Sequence, residues 1–202
     1  MLDFVGRLRS LLLADAWFVE VLRAVREGNL PDWVVGSGVI RSLVWDRLHG
    51  FERRTPVRDV DVAFFDRANP SRERDEEVEV ELRRRLPSVP WQVTNQAGVH
   101  LWYERRFGHP SDPIASIEDA VGRWPETATA VAVRLLPDDD LLVIAPCGLD
   151  DLFGLILRRN SRQVTQDYFR ERLESKAIRE TWPKVTVIDR SRVAETRRRS
   201  GR

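Results

Sequence analysis

A single cysteine, Cys147, in 202 residues leaves no partner within the chain for a disulfide and no set of thiolates for a metal cluster. This favours a reducing, cytoplasmic setting. With Pro146 and Gly148 as neighbours and no base beside it, Cys147 reads as a structural thiol. Lysine is almost missing too: of 33 basic residues only Lys176 and Lys184 are lysines, the rest being arginine. Coding composition accounts for so uniform a bias better than phosphate recognition does, because Asp and Glu are interspersed throughout. The formal net charge of +1 gives no global pull toward nucleic acid or a membrane surface. No apolar run reaches the length of a membrane span. Arg7 and Arg9 ahead of Leu11-Leu12-Leu13 and Ala14-Asp15-Ala16 imitate a leader, but the apolar run is too short for one. The three histidines, His49, His100 and His109, are spaced wrongly for zinc, and His49 and His109 fall near glycines in expected loops.

What the chain does have is enough apolar material for a core: hydrophobic residues make up 42%, and seven tryptophans run from Trp17 to Trp182. One domain over residues 1–190 is expected, with a basic tail at 191–202 that carries Arg197-Arg198-Arg199. Residues 2–28 have the helical period, and Gly28-Asn29 stops them. Strands are expected at 33–35, 60–65 and 90–94, helices at 39–49 and 71–86, and a hairpin from 128–136 and 141–145 around Pro137-Asp138-Asp139-Asp140. The Asp triplet invites a metal, but turn chemistry alone accounts for it. Residues 149–157 and 164–180 read as helices. This order implies an α+β (mixed α/β) domain, with a sheet of about five strands and helices mainly on one face.

Two short stretches carry chemistry. Val34-Val35-Gly36-Ser37-Gly38 is a strand that ends in a Gly-Ser turn at the start of a helix, and Arg58-Asp59-Val60-Asp61-Val62 opens a second strand. Asp59 and Asp61 are two apart, so their side chains leave one face about 7 Å apart along the strand, while Val60, Val62 and Phe64 point to the core. Mg²⁺ binds through one or two such carboxylates together with substrate phosphates and water. Two such ions, about 3.5 to 4 Å apart, stabilise both oxygens of an in-line phosphoryl displacement. The Gly36-Ser37-Gly38 turn offers unpaired N–H groups and the positive end of a helix dipole to an anion. Ser37 serves either as a phosphate donor or as a helix cap. Arg41, one turn on, could add charge, although by itself it reads as a surface residue. A dinucleotide fingerprint fails because position 41 is Arg rather than Gly, and a P-loop fails for want of Gly-Lys-Ser/Thr. A haloacid-dehalogenase-like Asp-x-Asp would end its strand, whereas this pair begins one.

With the Gly-Ser turn, the helix and Asp-x-Asp in this order, the chain resembles the nucleotidyltransferase superfamily typified by DNA polymerase β. Trp45-Asp46-Arg47-Leu48-His49-Gly50, Asn95-Gln96-Ala97-Gly98-Val99-His100, Trp124-Pro125-Glu126-Thr127-Ala128-Thr129-Ala130 and Ala145-Pro146-Cys147-Gly148-Leu149-Asp150-Asp151-Leu152-Phe153 are similar to the signatures of a bacterial family of predicted nucleotidyltransferases, over roughly residues 15–185. The resemblance implies Asp59 and Asp61 as metal-binding catalytic carboxylates, Gly36 and Ser37 as the phosphate cradle, and Mg²⁺ or Mn²⁺ as cofactor. An NTP would donate its NMP to a hydroxyl acceptor. The superfamily usually adds a third carboxylate on a later strand, but here that strand has no acid and Asn95 follows it. Asn95 cannot act as a base; Asp66 is a candidate substitute. Arg41 and Asn95 are expected to touch the nucleotide. Gln96 and His100 are placed at the pocket or in a self-satisfied loop, and Trp124 either stacks on a base or sits in the core. Without a concentrated basic face, a small molecule or protein acceptor is favoured over nucleic acid. The alternative is a catalytically silent nucleotide-binding or interaction module of the same fold.

Overall fold

Asp3 and Asp15 start the first two helices. Their side chains accept hydrogen bonds from the backbone N–H groups of Gly6 and Phe18, donors that a helix leaves unpaired. In the computed structural model, which describes residues 3–162 and 164–189, they open α1 (Phe4–Leu13) and α2 (Ala16–Glu27). The Ala14-Asp15-Ala16 triplet is therefore a helix junction. Among the described residues no helix is long and apolar enough to cross a membrane, and residues 191–202 lie outside them.

The central sheet has the order β3-β2-β1-β4-β5, formed by β1 (Val34–Gly36), β2 (Val60–Phe64), β3 (Trp91–Asn95), β4 (Ala132–Leu135) and β5 (Leu141–Ile144). Only β2 and β3 run parallel; the other pairs are antiparallel. Alternation along the strands gives the sheet two unlike faces. Val35, Val62 and Val133 stand in register on one face and join Val60, Phe64 and Val93 in the main core, under α1, α2, α3 (Gly38–His49) and α4 (Arg72–Arg85). The other face carries the small residues Val34, Ala63 and Ala132. Gly36 lies opposite Asp61 there, so the carboxylates emerge on the face with fewer helices.

Several boundaries follow from local chemistry. Gly50, at φ 75°, ends α3 in the left-handed conformation that glycine adopts at no steric cost. Ser71 caps α4 by accepting from Arg74 N–H. The Asp triplet is the tip of the β4–β5 hairpin, and Arg26 pins it through Leu136 O and Asp139 Oδ1, both at 2.7 Å. Turn chemistry thus explains the triplet without a metal.

Other stretches differ from the sequence reading. The helix expected over 149–157 is only α7 (Asp150–Phe153). The chain turns at Gly154 and at Leu155, φ 53°, and Ile156–Arg158 becomes β6, parallel to β7 (Thr186–Ile188) in a second, two-stranded sheet. The helix expected over 164–180 breaks at Ala177, φ 47°, into α8 (Gln166–Lys176) and α9 (Ile178–Thr181). After β3, two further helices, α5 (Val99–Phe107) and α6 (Ile117–Val121), occupy a stretch to which the sequence reading assigned no helix or strand.

Candidate active site

The turn from β1 into α3 is held in an uncommon shape. Ser37 has φ 62° and ψ −125°, a conformation that costs a non-glycine residue about 1 to 3 kcal/mol. Its backbone is fixed on both sides: Ser37 N–H donates to Val131 O at 3.0 Å, and Ser37 O accepts from Arg41 N–H at 3.2 Å. The side chain makes no capping bond to α3; its hydroxyl borders the same chamber as Asp61 and draws that carboxyl's pKa down. A Cβ on Gly36 would lie 2.7 Å from the Trp124 ring and 2.7 Å from Val131 O, so glycine is what lets the indole come up against the sheet. Trp124 is thereby both packed and exposed to the site. A Cβ on Gly38 would lie 3.6 Å from Asp59 Oδ1, which sets that carboxylate against the first turn of α3.

Asp59 immediately precedes β2, and Asp61 pairs with Gly36 on one side and Gln92 on the other. Burial pushes the Asp61 carboxyl up to about 6, and the like charge of Asp59 adds to this. Lys176, the Ser37 hydroxyl and Arg172 pull it back only in part. Two carboxylates compensated this poorly fit a divalent cation. Among the described residues no group of three or more His, Cys, Asp or Glu is placed to hold a metal, so the chain would supply this pair, with phosphate and water completing the shell.

Ser37, Asp59, Asp61 and Gln92 border a chamber of about 290 Å³. Sequence reasoning missed much of its wall, including Trp102, Tyr103 and Phe107 from α5, and Tyr168, Arg172 and Lys176 from α8. The sole available signal was Lys176, one of only two lysines in an arginine-rich chain. Burial lowers the Lys176 ammonium and the charge of Arg172 lowers it further, against the pull of Glu126 and Asp59. Arg172 itself is committed to Glu126, Nε to Oε1 at 2.6 Å. Burial alone would raise Glu126, but the Arg172 charge and its hydrogen bond hold it below the usual carboxylate range.

The expected nucleotide ligand Asn95 and the surface placement of Arg41 need correction. Asn95 is 1% exposed and its amide is fully used. Nδ2 donates to Asp66 O at 2.7 Å and Asn69 O at 2.9 Å, while Oδ1 accepts from Asp66 N–H and Ala97 N–H. It fastens the 66–69 loop to the end of β3 and has no group left for a nucleotide. Asp66 accepts from Ala68 N–H within that loop and does not border the chamber, so it does not replace the missing acid. Arg41 is no surface residue: it is 6% exposed, its guanidinium lying over Trp45 and Trp182 at 5.2 and 4.5 Å. Burial pulls it down to about 10 against the attraction of Glu126. It borders a second chamber, behind Asp59, rather than the first.

The signature motifs hold this frame. Asp46 accepts from Trp182 Nε1 at 2.7 Å and from Thr55 N–H at 2.8 Å, tying down the loop that leads into Asp59. Asp151 accepts from Thr127 Oγ1 at 2.6 Å and from Arg158 Nε at 2.9 Å.

The sequence profile of a family described as nucleotidyltransferase matches residues 23–187. The chain belongs to this nucleotidyltransferase family. No curated protein matches it in sequence. Among solved structures, an NMR structure described as revealing a CCA-adding enzyme head domain is similar over 92% of this chain and 96% of that one, with TM-score 0.76 and 24% identity. A CCA-adding enzyme complexed with CTP is similar over 90% of this chain and 43% of its own, with TM-score 0.51 and 17% identity. The Thermotoga maritima CCA-adding enzyme complexed with tRNA_CCA is similar over 90% and 42%, with TM-score 0.51 and 18% identity. The nucleotidyltransferase thus spans less than half the length of those two enzymes, and at these identities the three structures establish a shared fold.

Proposed function

We propose that this nucleotidyltransferase binds an NTP with Mg²⁺ or Mn²⁺ and transfers its NMP to a hydroxyl of a small molecule or protein in the cytoplasm, releasing pyrophosphate. The observation that carries this reading is convergence: Asp59, Asp61 and the strained Ser37 border one chamber, and Asp59 abuts the first turn of α3. A shared fold with a CCA-adding enzyme solved with CTP supports an NTP as donor. Asp59 and Asp61 would hold the cation, which when bound neutralises phosphate oxygens. Ser37 and the α3 N–H groups orient the phosphates, and Lys176 adds positive charge beside Asp59. The acceptor oxygen bonds to the α-phosphorus, the bond from that phosphorus to the bridging oxygen breaks with its electron pair leaving on pyrophosphate, and the hydroxyl proton passes to water.

One observation favours a second reading, a catalytically silent nucleotide-binding or interaction module. Gln92, not an acid, stands beside Asp61 on β3, and an amide cannot accept the hydroxyl proton. A thermal-shift titration with each of the four NTPs, with and without Mg²⁺, tests nucleotide binding. Saturation at about 100 times Kd adds roughly 2.7 kcal/mol, or about 5 to 10 °C. A Mg²⁺-dependent shift that is lost in Asp59→Ala/Asp61→Ala supports the proposal, and no shift with any NTP defeats it. Binding in the wild type without pyrophosphate release in the presence of any acceptor pool would leave the silent module as the better reading.

A further inference from the structure

Two chambers meet at Asp59 and Lys176, and their charges divide them. The first turn of α3, with Gly38 and Ser42, borders one of about 340 Å³, together with Arg41 and Arg58. Arg41 is 6% exposed, and among the described residues its Nε has no hydrogen-bond partner. Arg58 Nη1 donates to Ser175 O at 3.1 Å, and among the described residues neither Arg41 nor Arg58 is in a salt bridge with a carboxylate; helix N–H groups and cations without a carboxylate partner suit a polyanion.

The other chamber, of about 290 Å³, runs from Asp61 and Gln92 to an end built of Trp102, Phe107, Ile114 and Tyr168. Its rings touch one another: Tyr103 and Phe107 centroids are 4.4 Å apart, and Phe107 and Tyr168 meet edge-on at 5.3 Å. Its arginines are already spent. Arg123 is bound to Asp119 at 2.6 Å and to Asp112 O at 2.8 Å, and Arg172 to Glu126. Lys176, at the seam, is shared with the polyanion side. Among the described residues, a nucleic-acid backbone entering here would meet two carboxylates and no row of cations, whereas such backbones are held through several phosphate contacts. A flat uncharged ring would meet aromatic faces.

We propose that the aromatic chamber is the acceptor subsite of the transfer reaction, and that it takes a compact, uncharged hydroxyl compound carrying a ring rather than the end of a nucleic acid. This rests on the nucleotidyl-transfer reading. In an in-line displacement the attacking hydroxyl stands opposite the departing pyrophosphate. If the pyrophosphate leaves toward Gly38, Ser42 and Arg58, the hydroxyl arrives from the side of Asp61 and Gln92, through the aromatic chamber.

The test titrates wild type, Phe107→Ala and Trp102→Ala with three probes in the presence of Mg²⁺: the four α,β-methylene NTPs, phenyl glucoside as an uncharged hydroxylated ring, and a short oligoribonucleotide with a 3′-hydroxyl. Circular dichroism melts establish that the variants are folded, and Phe107→Leu, which keeps apolar volume without the ring, serves should Phe107→Ala fail. Expected are NTP-analogue affinities within about twofold of wild type in every variant, at least tenfold weaker phenyl glucoside binding in them, and weaker oligoribonucleotide than phenyl glucoside binding by the wild type. A tenfold loss of NTP-analogue affinity in the ring variants would make the chamber the nucleoside site and overturn the proposal. So would tighter binding of the oligoribonucleotide, or phenyl glucoside binding that is absent from the wild type or untouched by the substitutions. Wild type that binds none of the four analogues would instead strike the transfer reading beneath it.

Discussion

Asp61→Asn should stabilise this fold at neutral pH while removing its activity. The Asp61 carboxyl stands at about 6 rather than 3.8, for two causes that both act in the folded chain: loss of water and the charge of Asp59. A carboxylate raised in the folded state binds more protons there than in the unfolded chain between those two values, so stability falls as pH climbs from about 4 through 6. At pH 7.5 the charged side chain costs about two pKa units, or about 3 kcal/mol as an upper limit. Asp61 is half-buried, and the water that reaches it cuts the figure to about 1 to 2 kcal/mol. An amide of the same shape carries no charge to desolvate. Urea denaturation in EDTA at pH 7.5 should therefore place Asp61→Asn about 1 to 2 kcal/mol above wild type, with Tm higher by about 3 to 6 °C. At pH 4, where the folded wild type is already protonated at Asp61, most of that difference should vanish. Asp75, also raised to about 6 by burial, gives both proteins the same pH trend and cancels in the comparison. Pyrophosphate release should be lost in the variant at both pH values. A variant less stable than wild type at pH 7.5, or a gain independent of pH, would refute the argument that Asp61 is an uncompensated charge.

Gly36→Ala puts a methyl group 2.7 Å from both the Trp124 ring and Val131 O, and should cost about 1 to 3 kcal/mol, read as a lower urea midpoint. Ser37→Gly relieves the positive φ and should gain about 1 kcal/mol, whereas Ser37→Ala keeps the strain and gains nothing; both should slow pyrophosphate release, and equal stability of the two variants would show that the turn stores no strain. Lys176→Gln should weaken MgNTP binding about tenfold, the loss of a charged hydrogen bond of about 1.5 kcal/mol, and change NMP binding less than twofold in calorimetric titrations; equal losses for both would place the ammonium away from the β- and γ-phosphates.

How much of this could be read from the sequence depends on how far apart the interacting residues lie. Period-two alternation put Val60, Val62 and Phe64 in the core and Asp61 on the opposite face, and each is where a single strand's geometry requires it. Capping residues and Gly50 fixed helix ends for the same local reason. Arg41 went the other way because the rings that bury it include Trp182, far along the chain. Asn95 looked like a pocket residue, but its partners are carbonyls and N–H groups of the 66–69 loop. In α5 the only buried residue is Val99, since its aromatic side chains line a chamber and reach only the small cluster of Val99, Ile114 and Ala120, so no helical stripe toward the main core marks it. The run 149–157 is apolar enough for helix or strand, and the left-handed Leu155 that divides it has no sequence signal.

The motifs around the site and the carboxylate pair form one electrostatic arrangement. Arg172 and Lys176 stand four residues apart on α8, hence on one face of it. Glu126, from the Trp124-Pro125-Glu126 segment, grips Arg172 with both oxygens and accepts a third hydrogen bond from Thr129 Oγ1 at 2.7 Å. That grip fixes the rotation of α8 and so fixes Lys176 beside Asp59. It also engages the Arg172 guanidinium, whose charge pulls the Asp61 carboxyl back only in part. Had Arg172 been left unpaired, Asp59 and Asp61 would hold an internal counter-ion and lose their need for an external one. Burial and the charge of Asp59 thus hold Asp61 at about 6 despite the nearby Glu126–Arg172 pair, and a cation and a triphosphate are suited to relieve that unfavourable charge.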